Sequence, residues 1–195
     1  MNKLYYILII TLLAFSNSAV ASLDDVKGAF GIKFGEVLDE KELFDCEVMD
    51  DVKNCNINPP IPYYAFNKYR VFLTPTGNKV FKIIGLNISD DGASSCLSVA
   101  SNIATVLDSK YEVKMKYSEL RYPDKKLFQA NWETPSGKHK SIKMIYMVGV
   151  DISPHEENKS TKELKTLITI VYEDKAIMRE DEVEKIKDNH DTTGL

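Results

Sequence analysis

The chain is poor in the residues that carry most enzyme chemistry. Its 195 residues include three histidines, three cysteines and one tryptophan. The histidines, His139, His155 and His190, stand apart, and no H-x-x-x-H or H-E-x-x-H spacing occurs, which excludes the helical zinc-protease motif. There is no C-x-x-C, the usual mark of a redox-active thiol pair. There is no G-x-S-x-G, so the nucleophile elbow of the α/β-hydrolases is missing. A glycine-rich phosphate loop is also absent. His155 with Glu156, Glu157 and Asp151 is the nearest thing to a metal cluster. Carboxylates adjacent in sequence seldom converge on one ion, so it reads as a solvated acidic loop. No catalytic residue, cofactor or metal ligand is assigned on these grounds.

What is present begins with an export signal. Asn2 and Lys3 form a short positive start, an apolar run covers residues 4–15, and Ser16 to Ala21 supplies the small residues that signal peptidase accepts. A bilayer span needs roughly 20 apolar residues, so residues 1–21 read as a cleaved signal peptide rather than an anchor. No cysteine lies at the cut to receive a lipid. No later run is long enough to span, so no stable membrane insertion is expected after cleavage. The expected location is the bacterial periplasm or the outside of the cell.

In such an oxidising compartment at least two of Cys46, Cys55 and Cys96 should pair. Loop entropy assigns about 2.7 kcal/mol to Cys46–Cys55 and about 4 kcal/mol to a bond from either to Cys96. All three pairings remain open. Cys96 falls in the first turn of an expected helix, where a thiol is activated; a structural disulfide explains the same residue more simply.

Charge is uneven along the chain. Residues 110–143 hold nine basic and four acidic side chains, while the segments on both sides are acidic. The basic middle suits an acidic protein or an anionic envelope polymer; it equally suits the solvated face of strands. Nucleic acid is not expected, because the domain as a whole is acidic.

Periodicity gives the fold class. Phe30 to Gly35 reads as a short strand, and a short helix follows Asp39, with Glu42 completing a capping-box spacing. Residues 45–62, rich in Asn and Pro, read as an irregular loop. Alternation through Tyr69, Val71 and Leu73, the turn Thr74-Pro75-Thr76-Gly77-Asn78, and alternation from Val80 to Ile88 form a β-hairpin. Cys96, Val99, Ala100, Ile103 and Leu107 recur at helical spacing as far as Tyr111. A second hairpin runs through Phe128, Ala130 and Trp132, the turn Thr134-Pro135-Ser136-Gly137, and Ile142 to Val150. The repeated T-P-[ST]-G raises an internal duplication, although the tetrapeptide is good turn chemistry in any fold. A strand at Leu167–Tyr172 and a charged helix at Ile177–Ile186 follow. The expectation is a single α+β domain over residues 22–188, an antiparallel sheet built from two hairpins with helices packed on one face, and a frayed tail over residues 189–195.

Gly31-Ile32-Lys33-Phe34-Gly35, the hairpin with Thr74-Pro75, the helix with Cys96 and Tyr172-Glu173-Asp174 followed by the terminal Gly194-Leu195 resemble small exported bacterial proteins of uncharacterised function. The resemblance covers most of the chain after the signal. It implies an exported α+β protein and brings no activity and no site residue.

Three functions are compatible with this pattern. The first is a non-enzymatic exported protein that binds another macromolecule, an unknown protein or envelope component, in the manner of an envelope accessory, inhibitor or immunity-type protein. Its candidate surface is the loop ending in Tyr63 and Tyr64 with the basic hairpin residues Lys138, Lys140 and Lys143. The second is a small exported hydrolase or thiol enzyme using His139 or His155. The third is a small-ligand or lipid carrier with a pocket between the sheet and the Cys96 helix.

Overall fold

The computed structural model of the chain describes residues 22–89, 93–111, 114–122, 127–134, 139–151 and 164–192. A one-turn 3-10 helix, Leu23–Asp25, leads into a miniature hairpin of β1 (Gly28–Ala29) and β2 (Ile32–Lys33). A second 3-10 turn, Glu40–Glu42, follows, with the Asp39 side chain accepting the Lys41 N–H. Four strands come next: β3 (Leu43–Met49), β4 (Val52–Ile57), β5 (Lys68–Leu73) and β6 (Val80–Ser89). Helix α1 (Ala93–Tyr111) separates them from β7 (Lys116–Tyr122), β8 (Leu127–Glu133), β9 (Lys140–Asp151) and β10 (Leu164–Asp174). Helix α2 (Lys175–Thr192) closes the described chain, so residues 189–192 are helical.

Strands β3 to β10 form one antiparallel sheet in the order β3-β4-β5-β6-β10-β9-β8-β7. Each sequential set of four is a meander, and the two meanders meet where β6 pairs with β10, Ile83 lying opposite Tyr172. The repeated T-P-[ST]-G segments join β5 to β6 and β8 to β9, which are not equivalent places in the two meanders.

Strand alternation makes the core. Val71, Ile83, Ile170, Tyr172, Ile142, Met144 and Tyr146 are buried and share one side by register. Ile84, Leu86, Leu167, Val171 and Ile145, on the other side, are half-buried. There Lys82 pairs with Glu173 at 2.8 Å and lies 5.2 Å from the Phe72 ring centre.

The class is α+β, but sheet dominates, and the two α-helices among the described residues do not form a common layer on it. Helix α1 lies against β9 and β10. Helix α2 instead docks at the β5–β6 turn. Asp181 accepts the Thr76 N–H at 3.0 Å and the Gly77 N–H at 2.8 Å, and Lys79 pairs with Glu184 at 3.2 Å. Its apolar positions are sparse because its docking is largely polar.

Three expected elements are different in the structure. Residues 45–62 contain the hairpin β3–β4. Its two-residue turn, Asp50-Asp51, has φ of 50° and 65°, the doubly positive conformation that matches strand twist. The Phe30 to Gly35 strand is likewise split, with Phe30 (φ 56°) and Gly31 (φ 84°) forming the turn between β1 and β2. The expected helix after Asp39 is confined to the 3-10 turn, and the chain is already extended at Leu43.

Candidate functional site

A cleft of about 640 Å³ opens between the N-terminal hairpin, the proline-rich loop, α1 and the sheet. Four segments build it. The first supplies residues 25–33, with Phe30 and Ile32; the loop supplies Ile61, Pro62, Tyr63 and Phe66. Helix α1 contributes Ile103, Val106, Leu107, Lys110 and Tyr111, spaced at one helical face. Strand β10 contributes Ile170 and Tyr172, which alternate to the buried side.

An aromatic cluster forms one wall. The Phe30 ring meets those of Tyr69, Phe66 and Tyr172 edge-on, at centroid distances of 5.0, 5.7 and 5.8 Å. Such edge-to-face pairs are favourable beyond their buried area. The left-handed backbone at Phe30 is uncommon for a bulky residue and is held by the Ile61 N–H, which donates to the Phe30 carbonyl at 3.0 Å. Gly85 makes the cluster possible. A Cβ there would stand 3.0 Å from Phe30 Cζ and 3.1 Å from Phe66 Cδ2.

The loop wall is equally fixed. The Tyr69 hydroxyl donates to the Tyr63 carbonyl at 2.9 Å and accepts the Tyr63 N–H at 2.7 Å. Asn87 Nδ2 donates to the Ala65 carbonyl at 2.9 Å. At the mouth Tyr63 and Tyr64 pack with ring centres 4.6 Å apart, and Tyr64 is 83% exposed. Tyr64 hydrogen-bonding, then burial, pushes the Tyr63 hydroxyl up from its ordinary value. Tyr172 is pushed up strongly, first by burial and then by the nearby Tyr111 and Tyr63. Both are therefore neutral phenols at physiological pH.

The residues singled out in the sequence fall in several places. Cys46 and Cys55 are joined across β3 and β4, with an S–S distance of 2.07 Å. Cys96 falls in the first turn of α1 and its side chain lies outside the described residues, as do Lys138, His155 and the His190 side chain. His139 is exposed, and its carbonyl accepts the Lys175 N–H at 2.8 Å. Lys140 Nζ donates to the Asp24 carbonyl at 2.7 Å and lies 3.7 Å from Asp174, tying the N-terminal segment to the sheet end. Lys143 is half-exposed on β9 opposite Val171. Of the suggested surface, only Tyr63 lines the cleft, with Tyr64 beside it. Among the described residues no three metal-ligating side chains converge, and no helix is long and apolar enough to cross a membrane.

Sequence reasoning missed Phe30, Tyr111 and Tyr172 as site residues. A signal for the last was present, since a tyrosine that alternates with Ile168 and Ile170 carries a hydroxyl into apolar surroundings.

Fold and site together define an α+β protein with one eight-stranded antiparallel sheet and an apolar cleft on its buried side. No protein-family model, no curated protein and no solved structure matches the chain.

Proposed function

We propose that the protein is an exported bacterial binding protein that takes up an apolar ligand in this cleft. The cleft carries the reading: about 640 Å³, with walls made chiefly of Phe30, Ile32, Phe66, Ile103, Leu107 and Ile170. Ligand sites are typically concavities of this order, mostly apolar with a few polar groups. The Cys46–Cys55 bridge fits an oxidising compartment.

Binding of a neutral apolar dye such as N-phenyl-1-naphthylamine tests it. Saturable one-to-one binding is expected, weakened about tenfold or more by Ile103→Trp, which adds bulk between the walls, and by Val106→Asp at the mouth. Circular dichroism establishes that each variant folds. Absence of dye binding, or affinity unchanged in both variants, overturns the proposal.

A second reading has an observation of its own. Ile61, Tyr64 and Val106 are 67, 83 and 62% exposed around the same cleft, and exposed apolar groups beside a cavity suit a macromolecular partner that inserts a side chain. In that case the dye is displaced by an envelope component, and Tyr64→Ser weakens the partner without weakening the dye.

A further inference from the structure

We infer that the ligand of the cleft is an apolar molecule ending in a carboxylate, which accepts hydrogen bonds from the hydroxyls of Tyr111 and Tyr172 and sets its charge against Lys110. This rests on the cleft being a ligand site and names what enters it.

Two phenols whose hydroxyls open onto the cleft carry the inference. Tyr111 is 8% and Tyr172 9% exposed, and both line the cleft. Neither hydroxyl has a hydrogen-bond partner among the described residues. Neither hydroxyl oxygen is shut off from solvent, so both open onto the cleft, whereas the Tyr69 hydroxyl in the same aromatic cluster is taken up within the fold, both donating and accepting. One of the phenols rises from the middle of the sheet and the other from the last turn of α1, near enough to interact electrostatically. Each phenol carries an O–H that can donate. A ligand with an acceptor at that point would satisfy both.

Charge selects among acceptors. The exposed charged residues lining the cleft are Lys27, Lys33 and Lys110 against a single acid, Asp25. One Asp25 carboxylate oxygen already accepts the Ser22 N–H at 2.7 Å. Lys110 Nζ lies 5.1 Å from the centre of the Tyr111 ring, beside one of the two phenols. A carboxylate gains both the hydroxyls and the ammonium groups; an alcohol gains only the hydroxyls; an amine meets like charge. Hydrogen bonds to an ionised group are also roughly twice as strong as neutral ones.

The test compares dodecanoate, dodecanol and dodecylamine on the purified protein by calorimetry. Dodecanoate is expected to bind about tenfold or more tightly than dodecanol, and dodecylamine weakest. The double variant Tyr111→Phe/Tyr172→Phe keeps both rings and should remove most of the dodecanoate advantage, weakening dodecanoate more than dodecanol. Lys110→Gln should weaken dodecanoate alone, and the loss should shrink in high salt. Equal binding of the three chains, or a double variant that holds dodecanoate as tightly as the parent, overturns the inference and leaves the dye result standing. Failure of the neutral dye and of all three chains overturns the site reading as well.

Discussion

At the β5–β6 turn Asp181 is 1% exposed, and each of its carboxylate oxygens accepts a backbone N–H, from Thr76 and Gly77. In the cleft Tyr111 and Tyr172 are nearly as buried, and their hydroxyls meet no donor or acceptor among the described residues. The turn holds its carboxylate away from water, which is costly unless the group is hydrogen-bonded. There the cost is offset within the fold, and a helix is anchored as a result. In the cleft the hydroxyls stay open to solvent, and a ligand can take them up. Polar groups of the two regions thus divide into those that hold the molecule together and those that wait for something else, and the distinction lies in their partners.

The largest expected effect breaks the satisfied region. Asp181→Ala removes two charge-assisted hydrogen bonds and leaves the half-buried turn N–H groups of Thr76 and Gly77 without this acceptor. We expect a loss of about 3 kcal/mol in urea unfolding with little change in dye affinity. A small loss would show that α2 does not depend on this carboxylate. The pH dependence follows from the same contacts. Burial alone would raise the Asp181 pKa, but hydrogen bonds from Thr76, Thr74 and Gly77 outweigh it and hold the carboxyl below its ordinary value. A depressed folded-state pKa means that the stabilisation is present above the unfolded value, about 3.9, and is lost as pH falls through the folded one. The stability gap between parent and Asp181→Asn should therefore close in strong acid and be constant near neutrality.

Next in size is the disulfide. Replacing Cys46 and Cys55 together by alanine frees a separation of nine residues and should cost about 2.7 kcal/mol on the loop-entropy account. Reductant should reproduce most of that loss in the parent and none in the variant. Because the bridge joins β3, a sheet edge, to β4, dye affinity should stay within about twofold. A larger change would extend the cleft's support to the edge hairpin and sharpen the contrast between the two regions.

A smaller effect is expected at Gly85→Ala. The added methyl meets the Phe30 and Phe66 rings at about 3 Å and should cost about 1–2 kcal/mol by overpacking. It should also weaken the dye, since the rings it pushes are a wall of the cleft. A stability loss without a binding loss would mean that Phe30 supports the sheet and does not shape the site.

These distinctions were only partly legible in the sequence. The β5–β6 hairpin was readable because Thr74-Pro75-Thr76-Gly77-Asn78 is local turn chemistry between alternating apolar residues, and α1 was readable from its stripe. The β3–β4 hairpin was hidden for two reasons. Phe44, Val48 and Met49 are exposed on the edge strand, so no burial pattern marks it, and its turn uses Asp50-Asp51 where glycine or asparagine is the usual signal. The 116–122 strand carries Lys116, Glu119 and Arg121, and its exposed residues likewise give no one-sided pattern. A pocket between the sheet and the Cys96 helix was one of three alternatives, but the N-terminal hairpin and the proline-rich loop that complete its walls could not be read, because only the tertiary fold brings the four segments together. Burial of Tyr172 was legible from its alternation with Ile168 and Ile170; its want of a partner is a tertiary property that no local pattern carries.

The smallest expected effect is the most direct test of the contrast. Tyr172→Phe deletes a hydroxyl that opens onto the cleft and has no hydrogen bond among the described residues, and it keeps the ring against Phe30. Removing one partner of a made hydrogen bond destabilises, but removing a hydroxyl that has none in the fold breaks nothing. The unliganded variant should thus stay within about 0.5 kcal/mol of the parent. Tyr69→Phe serves as the opposite case in the same wall. It removes the hydroxyl that both donates to and accepts from Tyr63 and should destabilise by about 1–2 kcal/mol. If Tyr172→Phe costs as much as Tyr69→Phe, the Tyr172 hydroxyl is satisfied within the fold, and the division between holding groups and waiting groups fails at the residue on which it depends most.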